Sequence, residues 1–217
     1  RYATASMFTL FFAGSIYAPS CIIEGQSIQE WLQGHYIAAW RHLYRRIKDC
    51  KNIIGFEVMN EPHHGYIGHR DIRKLGHPIL KEGPMPNPLQ AMAATRRPVP
   101  KIPTYHLNSL GMHRTGTTTL NREGKNLFKE GFCCPWEREG LWTIDNDKPI
   151  ALKPDHFARL NNRPVDFTQD FLKPFSQKFA SSMQEARESL LIFIDSVPGN
   201  VPPNWSQDDG TNIVNAF

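Results

Sequence analysis

Ile28, Trp31, Leu32, Tyr36, Trp40, Leu43 and Ile47 recur at helical spacing, while Arg41, Arg45, Arg46 and Lys48 mostly avoid that face. The pattern predicts an amphipathic helix ending near Asp49. Its opening is Ser27 with Glu30, a pair whose side chains can each satisfy a backbone donor at the other's position. Ile53–Met59 follows as a predicted strand of β-branched and aromatic residues, interrupted only by Gly55 and Glu57. Alternation puts Gly55, Glu57, Met59 and Glu61 on one face and Ile54, Phe56, Val58 and Asn60 on the other. Pro62 has no N–H for a ladder and biases Glu61 towards extended backbone, so the strand stops at a carboxylate.

The same alternation of elements returns near the C-terminus. Phe171, Phe175, Phe179, Met183 and Ala186 follow one another closely enough to mark a second amphipathic helix, with Asp166 and Gln169 as its cap and Pro174 in its first turns. Leu190–Ile194 suits a buried parallel strand ending at Asp195, and Ile213–Phe217 reads as the start of a third strand. Helix, short turn and buried strand, repeated, imply an α/β fold built on a parallel sheet.

Residues 65–150 interrupt this order. Pro78, Pro84, Pro86, Pro88, Pro98, Pro100 and Pro103 fall too densely for a long helix or strand, which predicts an extended loop lobe over 69–150. It leaves from the C-terminal end of the strand that carries Glu61. Its second half, 131–150, is expected to pack through Phe132, Trp136, Leu141 and Trp142.

The formal net charge of +4 does not by itself argue for nucleic acid. Its placement is more informative, because 69–130 holds eleven Lys/Arg against four Asp/Glu. Such a stretch could attract an anionic membrane surface; a solvated basic loop is the plainer reading. Cys21, Cys50, Cys133 and Cys134 have neither zinc nor redox spacing, which suits reduced thiols in a cytoplasmic protein. No leader and no apolar run long enough to span a membrane is present, and the start at Arg1 reads as a chain cut in mid-domain.

Asn60 and Glu61 are the candidate site. A carboxylate at the C-terminal end of a buried strand, with Asn beside it, is what an acid/base catalyst on a parallel barrel would look like. Glu57, one layer below on the same face, could raise the acid's pKa by like-charge repulsion; an ion pair with an Arg of another strand is the plainer expectation. Asp195 is the other strand-terminal acid and is expected to be a rim residue. His63, His64 and His69 have no further ligand at metal spacing and are expected to line the cleft mouth or bond the loop backbone. Trp136, Trp142 and Trp205 could stack on sugars or anchor loops.

Asn60–Glu61–Pro62 after an apolar strand resembles the signature of the family 5 glycoside hydrolases, the cellulase-like (β/α)8 barrels. The longer string GFEVMNEPHHGYIG, with MFTLFFAG upstream and CPWEREGLW and LLIFIDSVPGNVPPNW downstream, is similar to the fungal branch related to endoglycoceramidases, which hydrolyses β-glucosides of ceramide or sterols. The resemblance implies a partial (β/α)8 TIM barrel, about strands four to six, with residues 1–217 as an internal fragment of one catalytic domain. It implies a retaining mechanism with Glu61 as general acid/base, Asn60 bonding the sugar 2-hydroxyl, a glycoside substrate (a glucosylated lipid above others), and no metal or other cofactor. The family's nucleophile Glu lies on a seventh strand outside this chain, so the fragment alone is expected to be inactive. Related sequences tend to have Glu-Pro where this chain has Asp195–Ser196. The rival readings are an endoglucanase-like polysaccharide hydrolase and a non-catalytic remnant.

Overall fold

The computed structural model describes residues 2–76, 81–109, 111–206 and 209–216. In chain order, α1 (Tyr2–Tyr17), β1 (Ile22–Ile23), β2 (Gln26–Ser27), α2 (Ile28–Ile47) and β3 (Gly55–Glu57) come first. The middle holds β4 (Gly83–Pro84), α3 (Pro88–Ala93), β5 (Val99–Asn108), β6 (Gly111–Leu120), α4 (Pro135–Arg138), β7 (Trp142–Asp145) and β8 (Lys148–Ala151). Short strands β9 (Arg159–Leu160) and β10 (Arg163–Pro164) precede α5 (Lys173–Gln184), β11 (Leu191–Ile194) and β12 (Ile213–Asn215). The chain forms two compact units: Ala5–Gly68 with Asn162–Phe217, and His69–Asn161 with the first residues up to Thr4.

The first of these is mixed α/β around a parallel sheet of order β12–β11–β3. Register pairs Ile192 with Phe56 and with Ile213, and Phe193 with Glu57 and with Val214. Leu190, Ile192 and Ile194 are fully buried, as is Phe56 nearly so, and this face packs on helices. The core is a run of aromatic rings meeting mostly edge to face, the geometry favoured by ring quadrupoles. Phe11 meets Phe175 at 4.8 Å, Phe12 meets Phe167 at 5.0 Å and Trp40 meets Phe56 at 5.5 Å. Ser27 caps α2 by accepting the Glu30 N–H. The buried stripe of α2 is turned from the expected one: Ile37 and Tyr44 are buried, while Leu43 is 44% exposed. Phe171, Phe175, Phe179 and Met183 are all buried, but α5 stops at Gln184, leaving Ala186 exposed beyond its end. A π-helical turn, Thr168–Leu172, leads into α5, and Asp166 accepts the Gln169 N–H ahead of it.

The predicted strand Ile53–Met59 contracts to Gly55–Glu57, with single contacts on either side: Leu191 N–H to the Ile54 carbonyl and Val58 N–H to the Phe193 carbonyl.

The other unit corrects the loop expectation. β5 and β6 are ten-residue strands of one antiparallel ribbon, in a sheet of order β4–β5–β6. Pro100 is tolerated because the register shifts between Val99 and Ile102, so the missing N–H falls at the irregularity. Pro103 contributes through its carbonyl, which accepts the Met85 N–H. Pro88 opens α3, where Asn87 and Gln90 form a reciprocal capping box. Pro78 lies outside the described residues. Trp136, Leu141 and Trp142 are buried as expected, with Trp136 edge-on to Phe157 at 5.0 Å; Phe132 is 66% exposed and does not join them.

Candidate active site

The C-terminal ends of β3 and β11 bring Glu61 and Asp195 together. Parallel pairing sets the two strand ends level, and Asp195 Oδ2 accepts the Glu61 backbone N–H at 2.8 Å. Asp195 Oδ1 accepts the N–H of Ser196 at 2.8 Å, so each carboxylate oxygen holds a backbone donor. Glu61 is not extended, as Pro62 led one to expect, but left-handed, with φ +43°. The turn breaks the alternation of faces after Met59 and leaves both Asn60 and Glu61 exposed.

Two further contacts fix this strand end. The Tyr36 hydroxyl, on α2, donates to the Val58 carbonyl at 2.6 Å. Burial pushes the Tyr36 phenol above its ordinary pKa, and the charge of Glu57 adds to the shift, so the hydroxyl stays a donor. The loop after Pro62 is tied to α1: Thr9 Oγ1 accepts the Tyr66 N–H at 2.8 Å while donating to the Ala5 carbonyl. Gly65 passes so close, with φ +63°, that a Cβ there would lie 2.4 Å from Thr9 Oγ1. Nothing in the local sequence of Tyr36 or Thr9 announces these roles.

Glu57 is exposed on the open face of the sheet beside Phe193 and Val214, and no ion pair to it occurs among the described residues. The expected Arg partner is not found among the described residues. His63 accepts the Gly65 N–H through Nδ1 at 2.8 Å, and His69 Nε2 lies 2.9 Å from the Asp71 carbonyl. Both bond loop backbone. Trp136 and Trp142 are too buried to stack on a sugar. Trp205 is half-buried, with Lys173 Nζ 5.5 Å from its ring and its Nε1 donating to Asn215 at the end of β12. A cavity of about 450 Å³ within the β4–β6 unit is lined by Pro84, Ala91, Ala94, Leu120 and Leu127 among others. Among the described residues no carboxylate or imidazole lines it.

No family model matches the chain. It is 30% identical over 216 residues to a glucosylceramidase of Rhizopus delemar, covering 96% of this chain and 31% of that protein. It is also 30% identical to the ergosteryl-β-glucosidase of Saccharomyces cerevisiae, covering 94% of this chain and 30% of the relative. The crystal structure of Cryptococcus neoformans sterylglucosidase 1 superposes with a TM-score of 0.87 at 26% identity, over 99% of this chain and 34% of that one. The chain is homologous to the fungal glucosylceramidases and steryl glucosidases. It spans about a third of the length of these glycosidases. The resemblance drawn from Asn60–Glu61–Pro62 and its companion strings thus holds along almost the whole chain.

Proposed function

We propose that this chain supplies the acid/base half of a retaining β-glucosidase acting on glucosylated lipids, with Glu61 as the general acid/base. The observation that carries the reading is the position of Asn60 and Glu61 in the turn that follows the C-terminal end of β3, on the side where parallel α/β barrels place their chemistry, in a chain homologous to glucosylceramidases and steryl glucosidases. On this reading β3, β11 and β12 are consecutive strands of a (β/α)8 barrel, α2 and α5 are its helices, and the 69–150 lobe is an insertion after the catalytic strand. Peripheral contact with an anionic membrane belongs to the same reading, since the lobe carries most of the basic excess and the substrate would be a lipid.

Glu61 would protonate the glycosidic oxygen while a second carboxylate attacks the anomeric carbon, then deprotonate the water that releases glucose. Asn60 would hydrogen-bond the sugar 2-hydroxyl, an interaction that strengthens in the transition state. Asp195 is poorly suited to be the attacking carboxylate, since both its oxygens already hold backbone donors. The attacking group would then come from sequence that the relatives carry and these residues do not match, and the 217 residues alone are expected to show no turnover.

The test is an assay of the gene product that carries these residues on glucosylceramide and steryl glucoside, against its Glu61→Gln variant. Loss of an acid/base group should cost about 10²–10⁴-fold in rate. Substrates whose leaving group needs no proton should suffer least in the first step. Full turnover of the lipid glucosides by the variant would sink the assignment.

A further inference from the structure

One register step short of its last pair, Asn108 with Gly111, the β5–β6 ribbon carries an apolar pair that the catalytic reading does not use. Leu107 and Met112 are cross-strand partners, 42% and 43% exposed. Alternation puts Tyr105 and Arg114, themselves paired, on the same face one step further from the tip. Lys81 joins them from the strand's flank: its Nζ lies 5.3 Å from the Tyr105 ring centroid and its backbone N–H meets Met112 Sδ at 3.0 Å. The face therefore runs from two aliphatic side chains, through a tyrosine, to two cations.

Residues Met112 to Thr117 are all exposed, so no described residue covers this part of β6 on either side. The opposite face differs in chemistry, with His106 paired to His113 and the Glu82 carboxylate 3.2 Å from His106 Nδ1. Arg114 makes no ion pair among the described residues. Between Lys81 and Leu120 there are five Lys/Arg against the single acid Glu82, so the surroundings favour an anionic partner.

We propose that this ribbon face is a membrane-docking element. Leu107 and Met112 enter the boundary of an anionic bilayer, Tyr105 sits at headgroup level, and Lys81 and Arg114 reach lipid phosphates. Apolar pair nearest the tip, amphipathic ring and flanking cations are the order of groups that a bilayer presents in reverse. The proposal deepens the lipid-substrate reading and rests on it for its purpose, but it is read out by binding and does not require Glu61 to be catalytic.

The experiment is co-sedimentation of the protein with phosphatidylcholine vesicles, with and without phosphatidylserine. Binding should need the anionic lipid and weaken in high salt. Leu107→Ser with Met112→Ser should lower the affinity by at least about tenfold, from the lost apolar burial. Lys81→Glu with Arg114→Glu should remove most of the dependence on phosphatidylserine. Both pairs sit on the surface, so circular dichroism and thermal unfolding should match the parent. If the parent binds and both double variants bind equally well, the ribbon assignment fails and the membrane reading survives. If the parent binds no vesicle, both fail. Binding to neutral vesicles only when glucosylceramide is added would overturn the charge argument in favour of headgroup capture. Self-association through the β6 edge in sedimentation velocity, lost in the serine variant, would give the face to a second copy of the chain instead.

Discussion

Asp195 and Glu61 lie 134 residues apart in sequence and are joined by a 2.8 Å bond from the Glu61 N–H to the Asp195 carboxylate. A backbone donor bonded to an ionised acceptor is worth more than a neutral pair, about 1.5–3 kcal/mol against about 1. The second strand-terminal acid thus acts on the first through the backbone. It holds the turn that aims Glu61.

Asp195→Ala should therefore lower stability by about 1–3 kcal/mol, read as a shift in urea midpoint with an unchanged slope. Hydrogen exchange at the Glu61 amide should accelerate. Asp195→Asn keeps one carbonyl acceptor and should fall between the parent and the alanine variant. Unchanged exchange at Glu61 in the alanine variant would show that the bond contributes nothing to the turn.

Glu61 itself sits at φ +43°, a conformation that costs a side-chain-bearing residue about 1–2 kcal/mol. Its side chain is exposed and has little packing to lose. Glycine escapes the steric cost but loses about 0.5–1 kcal/mol more entropy on folding. The balance predicts that Glu61→Gly raises stability by about 0.5–1 kcal/mol, while abolishing any activity that needs the carboxylate. Residues held in strained backbone conformations cluster at functional sites. A urea midpoint below the parent's would count against strain at this position.

Gly55 is fixed by a different limit. A methyl group there would lie 2.1 Å from the Leu191 carbonyl oxygen, which is backbone of the neighbouring strand and cannot swing aside. Gly55→Ala should open the β3–β11 pairing and cost at least about 2–3 kcal/mol. Because β3 leads into the Glu61 turn, exchange should accelerate at the Val58 amide, bonded to Phe193, together with that of Glu61. Thermal unfolding at the parent's temperature would contradict the close approach.

What could be seen in the sequence was mainly local. The Phe171, Phe175, Phe179 and Met183 stripe faces the core because helical period alone decides it. The Ser27 cap needs only its neighbour three residues on. The β5–β6 ribbon was hidden because proline density argues against strands until a register shift at Pro100 is allowed for. Glu61 took a left-handed turn because Asp195 and the packed Tyr66 segment hold the chain there, and no local rule contains a partner from a distant strand.

The last prediction concerns acid. Asp209 accepts from Lys173 Nζ at 2.8 Å, from the Ser206 hydroxyl at 2.9 Å and from the Ser206 N–H. The hydrogen bond from Lys173 is the main cause, followed by those of Ser206, and together they bring the carboxyl from its ordinary value near 3.8 down to about 2. A carboxyl with a lowered folded pKa contributes stability above its unfolded pKa and loses that contribution as pH falls through the folded one. The cluster should therefore loosen between about pH 4 and pH 2. Lys173 also lies over Trp205, which is bonded to Asn215 at the end of β12, so the loss should show in the fluorescence of Trp205. The parent minus Trp205→Phe difference signal should change across that window. In Asp209→Asn it should be flat there and already at its low-pH level near neutrality. A parent signal that stays constant to pH 2 would mean that Asp209 does not hold the loop.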